Sequence, residues 1–260
     1  MHLSGLDLLL WATGLMAHII LLCVLVVRQR LRAFPIFTTL IVTNICRTAA
    51  LALVEVLGNR TEYFYTYWSF GLLDTILQLL VVYEMYSCTF RPLGIWAPDV
   101  RDAFTGLLLV TTAVAATLTR LAEPQVRLWV QIVVIKSNFF SSVCLSELFV
   151  AMLALSVKTG LPSRTHVARI SQGLGVYSAI DVVIETSHNY FGVGRDTQIY
   201  TLLSHFRMYA YLFCVAYWIV TLWRNAPASR MLPKSLREQL IRLQNIVDRN
   251  ARTIRVRKKW

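Results

Sequence analysis

Asp181-Val-Val-Ile-Glu185-Thr-Ser-His188-Asn-Tyr-Phe-Gly-Val-Gly-Arg195-Asp-Thr-Gln-Ile-Tyr200-Thr-Leu-Leu-Ser-His205-Phe-Arg207 is the stretch that decides how the chain is read. Five ionisable groups (Asp181, Glu185, His188, His205 and Arg207) stand at the facing ends of two long apolar segments. Asp181, Glu185 and His188 recur at i, i+4 and i+7, which puts them on one ridge of a helix. Charges inside apolar segments of that length imply a bilayer, where an ionisable side chain is costly and marks a functional site by default.

Working outward, the composition agrees. Hydrophobic residues make up 56 % of the 260 and charged residues 15 %, against roughly 25 % charged in soluble domains. Mean hydropathy is +0.55. The expected fold is an all-α polytopic bundle of seven transmembrane helices over residues 1–223, followed by a basic tail over 224–260. A hydrocarbon layer of ~30 Å takes about 20 helical residues. The predicted spans are Leu6–Val27, Phe34–Leu57, Tyr67–Phe90, Ala103–Thr119, Leu128–Val157, Ile170–His188 and Gln198–Trp223. The fourth is short and rich in small residues (Gly106, Ala113, Ala115, Ala116), which predicts tight packing and no role in lining a site. Span six carries Gly173 and Gly175, read as a loosened turn near its inner end. The first span lacks a basic n-region and a small-residue cleavage site, so it reads as a retained helix. The five cysteines lie within or at the edges of spans, and no disulfide framework is indicated.

Charge gives the orientation. With the N-terminus outside and the C-terminus cytoplasmic, the inner segments hold nineteen Lys and Arg residues, among them Arg28, Arg30, Arg32, Lys158, Arg164 and Arg169. The outer loops hold four: Arg60, Arg120, Arg127 and Arg195. That bias predicts a cell-membrane protein with its basic side inward. The net charge of +12 is then charge facing anionic headgroups, and no nucleic-acid partner is needed to account for it.

Depth along each span locates a site. Counted from the inner edges, Arg47, Asp74, Glu147, Asp181, Glu185, His205 and Arg207 lie between 10 and 18 residues out, on five different spans. Lys136 sits nearer the outer interface, where it can snorkel, and Glu84 lies four residues from the inner edge. The predicted ligand or ion pocket comprises Arg47, Asp74, Gln78, Glu147, Asp181, Glu185, His205 and Arg207. Such a layer either fixes helix register through buried ion pairs or binds something polar. Seven ionisable groups exceed what register needs, and the acids outnumber the bases, leaving room for a cation, a proton or a ligand. Asp181 is expected to pair with Arg207, with Arg47 as the rival. His205 and Arg207 point nearly opposite ways, so at most one faces the centre. Asp181, Glu185, His188 and His205 are also a candidate ligand set for zinc or iron; a di-iron bundle would need two Glu-x-x-His motifs and the chain has one. Beyond that set the residues leave the cofactor open.

Seven helices with the N-terminus outside resemble G-protein-coupled receptors in outline. The inner end of span three reads Val82-Tyr-Glu-Met-Tyr-Ser-Cys88, however, and span seven lacks Asn-Pro-x-x-Tyr. Span seven also lacks the lysine that a retinal Schiff base would require. The plan alone implies no function.

The tail opens with Ser235-Leu-Arg-Glu238, a capping box just after Pro233. Leu236, Leu240, Leu243 and Val247 then recur at helical spacing among Arg237, Arg242, Arg249, Arg252, Arg255, Arg257, Lys258 and Lys259. A basic amphipathic helix on anionic lipid is the expectation, with a homodimer or a cytoplasmic partner as the alternative. For the whole chain, a receptor or sensor with an outward polar pocket is the leading functional expectation. A transporter or proton relay through Asp74, Glu147 and Asp181 is second, and an intramembrane metal-dependent hydrolase third. The spans hold no interior proline, which weighs against broken transporter helices.

Overall fold

The computed structural model describes residues 5–90, 98–122, 128–159, 165–195 and 197–225. The expected tail helix and its lipid-facing basic residues lie outside the described residues. The chain divides into two units, Met1–Asn225 and Ala226–Trp260, and every described helix belongs to the first.

Seven α-helices make up that unit: α1 (Gly5–Val27), α2 (Pro35–Leu57), α3 (Arg60–Phe90), α4 (Pro98–Leu121), α5 (Trp129–Thr159), α6 (His166–Arg195) and α7 (Thr197–Trp223). No strand occurs among the described residues. Six of the helices are long and apolar enough to cross a membrane, over Leu8–Val27, Pro35–Leu57, Arg60–Met85, Trp129–Ala151, His166–His188 and Gln198–Trp223. The apolar part of α4, Gly106–Leu121, is shorter.

Two helices outrun the spans expected from sequence. α3 starts at Arg60, seven residues before the expected start at Tyr67, and α6 continues past His188 to Arg195. His188 is therefore a helical residue, and α6 and α7 are separated by residue 196 alone.

The helices pack as a ring in which α1 meets α2 and α7, α2 meets α3, α3 meets α5 and α6, and α6 meets both α5 and α7. α4 stands outside the ring against α5. The expectation that it packs tightly among several neighbours therefore holds for one neighbour only, and much of its surface (Leu109, Val110, Leu121) is exposed.

One half of the ring is solid. Leu21, Leu25, Phe37, Ile41, Val81, Met85, Ile170, Val215, Trp218 and Leu222, from five helices, form its main apolar core. Phe37 meets Trp218 edge to face, with ring centroids 5.2 Å apart at 84°, a geometry favoured by the aromatic quadrupole. The glycines of α6 belong to this packing. A methyl group on Gly173 would strike the Trp218 indole, and one on Gly175 the Phe149 ring. They are notches for large neighbours, not the loosened turn expected from their sequence.

The ends of the solid half are capped by charge. Residue 34, before Pro35, offers α2 no side-chain cap, so the first free N–H groups of α2 need another acceptor. Glu84 of α3 supplies it: Oε1 accepts from Ile36 N at 2.8 Å and Oε2 from Phe37 N at 2.9 Å. Its buried carboxylate is thus a cap on a neighbouring helix. α1 ends in a left-handed residue, Gln29 (φ 52). Arg30 N bonds Leu25 O and Gln29 N bonds Val26 O, the hydrogen-bond pattern of a Schellman turn. That turn aims Arg28 and Arg30 at α7. Arg28 donates to Trp223 O, Arg30 to Arg224 O at 2.9 Å, and Arg169 of α6 to Thr221 O at 3.3 Å. Cations suit the carbonyl-rich end of a helix. Burial first, then the neighbouring Arg28 and Arg169, lower the pKa of Arg30.

Candidate functional site

The other half of the ring is hollow. A cavity of about 550 Å³ opens there, with walls from α1, α2, α3, α5, α6 and α7. That volume falls within the range of small-molecule sites.

Its charged floor grows from the α6–α7 hairpin. With one residue between them, the two helices must run antiparallel, which brings Asp181 level with Arg207. The expected pair is made: Arg207 Nε lies 2.6 Å from Asp181 Oδ1, and Asp181 is 1 % exposed. The Nε–H is not directed at Oδ1, so the attraction is Coulombic more than a hydrogen bond. Asp181 Oδ2 accepts from Ser142 Oγ at 2.6 Å and from Asn138 Nδ2 at 3.3 Å, both on α5. Arg207 Nη1 donates to Glu185 Oε1 at 2.5 Å, one turn further along α6. Tyr177 also lines the cavity beside the guanidinium. One guanidinium thus serves two carboxylates on the ridge that the i, i+4 spacing foretold.

Across the cavity stands a second polar set. Asp74 Oδ2 accepts from Gln78 Nε2 at 2.7 Å, and Oδ1 from Asn44 Nδ2 at a long 3.4 Å. Asn44 also reaches the Tyr211 hydroxyl at 3.5 Å, and that hydroxyl meets His18 Nε2 at 2.8 Å. His18 Nδ1 faces Gly14 O at 2.6 Å. A carbonyl can only accept, so Nδ1 carries the proton and Nε2 is left to accept from Tyr211. The chain of bonds ties α1, α2, α3 and α7 together.

Arg47 stands apart from both sets. Its guanidinium lies 5.2 Å from the centroid of the Tyr67 ring, a cation–π arrangement. Asp74 attracts it from further off, and no carboxylate oxygen lies within 4.0 Å of it among the described residues. Aromatic side chains line much of the rest, including Tyr63, Trp68 and Tyr200. His188 stacks on Tyr200 at 4.1 Å, and its Nε2 is buried without a hydrogen-bond partner among the described residues.

Of the eight residues expected to form the pocket, Arg47, Asp74, Gln78, Glu185 and Arg207 line this cavity. Asp181 lies behind the wall and reaches it through Arg207. Two are placed elsewhere. Glu147 faces Thr111 of α4, and His205 is half-buried on another side of α7. The opposed directions of His205 and Arg207 explain the second case. Of the candidate metal set, Asp181 and Glu185 are both engaged by Arg207, and among the described residues no three His, Cys, Asp or Glu are grouped to hold an ion. Sequence reasoning passed over His18, Asn138, Tyr177 and Tyr211. Polar atoms inside long apolar runs were the available signal for His18 and Asn138. Tyrosine, abundant in these spans, gave none.

Fold and site together describe an all-helical protein whose apolar helices are compatible with an integral membrane protein, built around a polar cavity. Compared with family models, with curated proteins and with solved structures, the chain matches none.

Proposed function

We propose that the protein is a seven-span membrane receptor or sensor, N-terminus outside and C-terminus cytoplasmic, whose cavity binds a small ligand carrying an acidic group. Nineteen basic residues against four support this orientation. For the seventh span, α4 reaches from Pro98 to Leu121, long enough for hydrocarbon if its first turns sit at the interface. The observation that carries the ligand reading is Arg47: a guanidinium facing a 550 Å³ cavity with its donors uncommitted to any described carboxylate. A half-buried cation so placed favours an anion, which Arg binds in bidentate fashion. The aromatic walls suit an apolar or aromatic body.

A proton relay fits less well. Glu147 turns toward α4, and Asp181 is held by Arg207, Ser142 and Asn138. The three carboxylates of the relay therefore do not form one file.

The test uses purified protein in neutral detergent. Small aromatic carboxylates such as benzoate and indole-3-carboxylate should raise the melting temperature more than the matched amides, and Arg47→Gln should abolish the difference. Equal responses to acid and amide would refute the assignment of Arg47. Accumulation of the same carboxylates by proteoliposomes would replace the receptor reading with transport.

A further inference from the structure

A second recess lies on the outside of the ring, bounded by α3, α4 and α5, with a volume of about 470 Å³. It exists because α4 leans on α5 without packing on α3. Leu72, Ile76 and Leu79 of α3 and Phe140 of α5 make an apolar wall, and the small Ala116 leaves the α4 side open. Two cations complete the lining, Arg120 in the last turn of α4 and Lys136 on α5. Among the described residues no acidic side chain lines the recess, and neither cation has an ion-pair partner. Thr119, also in the lining, has a buried hydroxyl with no hydrogen-bond partner among the described residues. Elsewhere helical threonines return their hydroxyls to the carbonyl four residues back, as Thr13, Thr48, Thr117 and Thr186 do.

We infer that this recess is a lipid site for an anionic phospholipid, with the phosphate held by Lys136 and Arg120 and one acyl chain laid along the α3–α5 wall. Each cation alone has an ordinary explanation: Lys136 snorkels, and Arg120 complements the C-terminus of α4. Neither explanation accounts for the hollow apolar wall beside them. An anionic phospholipid explains both: its phosphate neutralises two cations at the edge of hydrocarbon, and its chain fills space that side chains leave empty. The site needs the protein to sit in a bilayer. It does not depend on what the central cavity binds.

The test uses the full chain in phosphatidylcholine nanodiscs containing a trace of phosphatidylglycerol with a photoactivatable group on one acyl chain, adducts being mapped by mass spectrometry. Adducts should fall on residues 72–79 and 136–140. Each cation is worth about fivefold in lipid occupancy, so Lys136→Gln with Arg120→Gln should cut labelling there about 25-fold. Lys136→Arg should keep it. Ala116→Trp, which fills the recess and spares both charges, should also abolish it. Because neither cation makes an ion pair among the described residues, and Arg120 loses only its weak attraction to the end of α4, unliganded melting temperatures should fall by no more than a few degrees and exclude misfolding as the cause. Equal labelling by the phosphatidylcholine analogue, or labelling that survives the double substitution, would overturn the site. Displacement by millimolar inorganic phosphate would also overturn it, by showing an anion site without a lipid chain.

Discussion

Substitution of Arg207 should damage this protein more than substitution of either of its carboxylate partners, and the geometry sets by how much. Arg207→Gln strands two acids at once: Asp181, 1 % exposed, and Glu185, 12 % exposed. Breaking a buried pair by removing one partner costs about 3–5 kcal/mol, because the other charge stays behind uncompensated. Asp181→Asn leaves Arg207 still paired with Glu185, and the new amide oxygen can still accept from Ser142. Its cost should be smaller, about 2–3 kcal/mol, mostly the lost Coulomb attraction to Nε. For a chain of this size a kcal/mol corresponds to about 2–4 °C of melting temperature. Thermal unfolding in detergent, followed by circular dichroism or by exposure of Cys144 and Cys214 to a thiol dye, would resolve the two variants. The double variant should cost less than the sum by about 1–3 kcal/mol, the coupling expected for residues in contact. Strict additivity, or an Asp181→Asn loss equal to that of Arg207→Gln, would show that Arg207 does not hold both acids.

Three further outcomes are expected. Gly173→Ala should destabilise by about 1–3 kcal/mol through overpacking against Trp218, and Trp218→Phe should recover part of that loss in the double variant, measured by the same melts. Glu84→Ala should cost about 1–2 kcal/mol and speed amide exchange at Ile36 and Phe37, whose N–H groups lose their acceptors; unchanged exchange there would remove Glu84 as the cap. Gln29→Gly should raise the melting temperature by the equivalent of about 1 kcal/mol, because a left-handed residue is strained unless it lacks a Cβ.

Hydropathy made the helices legible because apolar runs of bilayer length have few other uses. It failed where a helix continues through polar or aromatic turns, as at Arg60–Thr66 and Asn189–Arg195, and with the first of these went Tyr63 on the cavity wall. Axial depth was also legible, since each residue adds about 1.5 Å. That is why Arg47, Asp74, Glu185 and Arg207, similar in depth, line one cavity. Azimuth was not, because it depends on which helix stands beside which. Glu147 has the right depth and the wrong bearing, toward α4. Gly173 and Gly175 show the same gap: what a glycine makes room for is decided by Trp218 and Phe149, which lie on other helices.

Three guanidiniums grip the last carbonyls of α7, and this constrains how that helix can move. Sliding along its axis would break the bonds from Arg28, Arg30 and Arg169 together, whereas tilting about the gripped end breaks none of them. α7 is then a lever with its fulcrum at Trp223. Arg207 rides about 24 Å up the arm and the far tip at Thr197 about 40 Å up. A swing of about 5° would carry Arg207 by about 2 Å, enough to exchange an ion-pair distance for a water-separated one. A molecule that pulls on Arg207 or Tyr211 would therefore be read out as torque on the anchored end, delivered next to the segment where the basic tail begins.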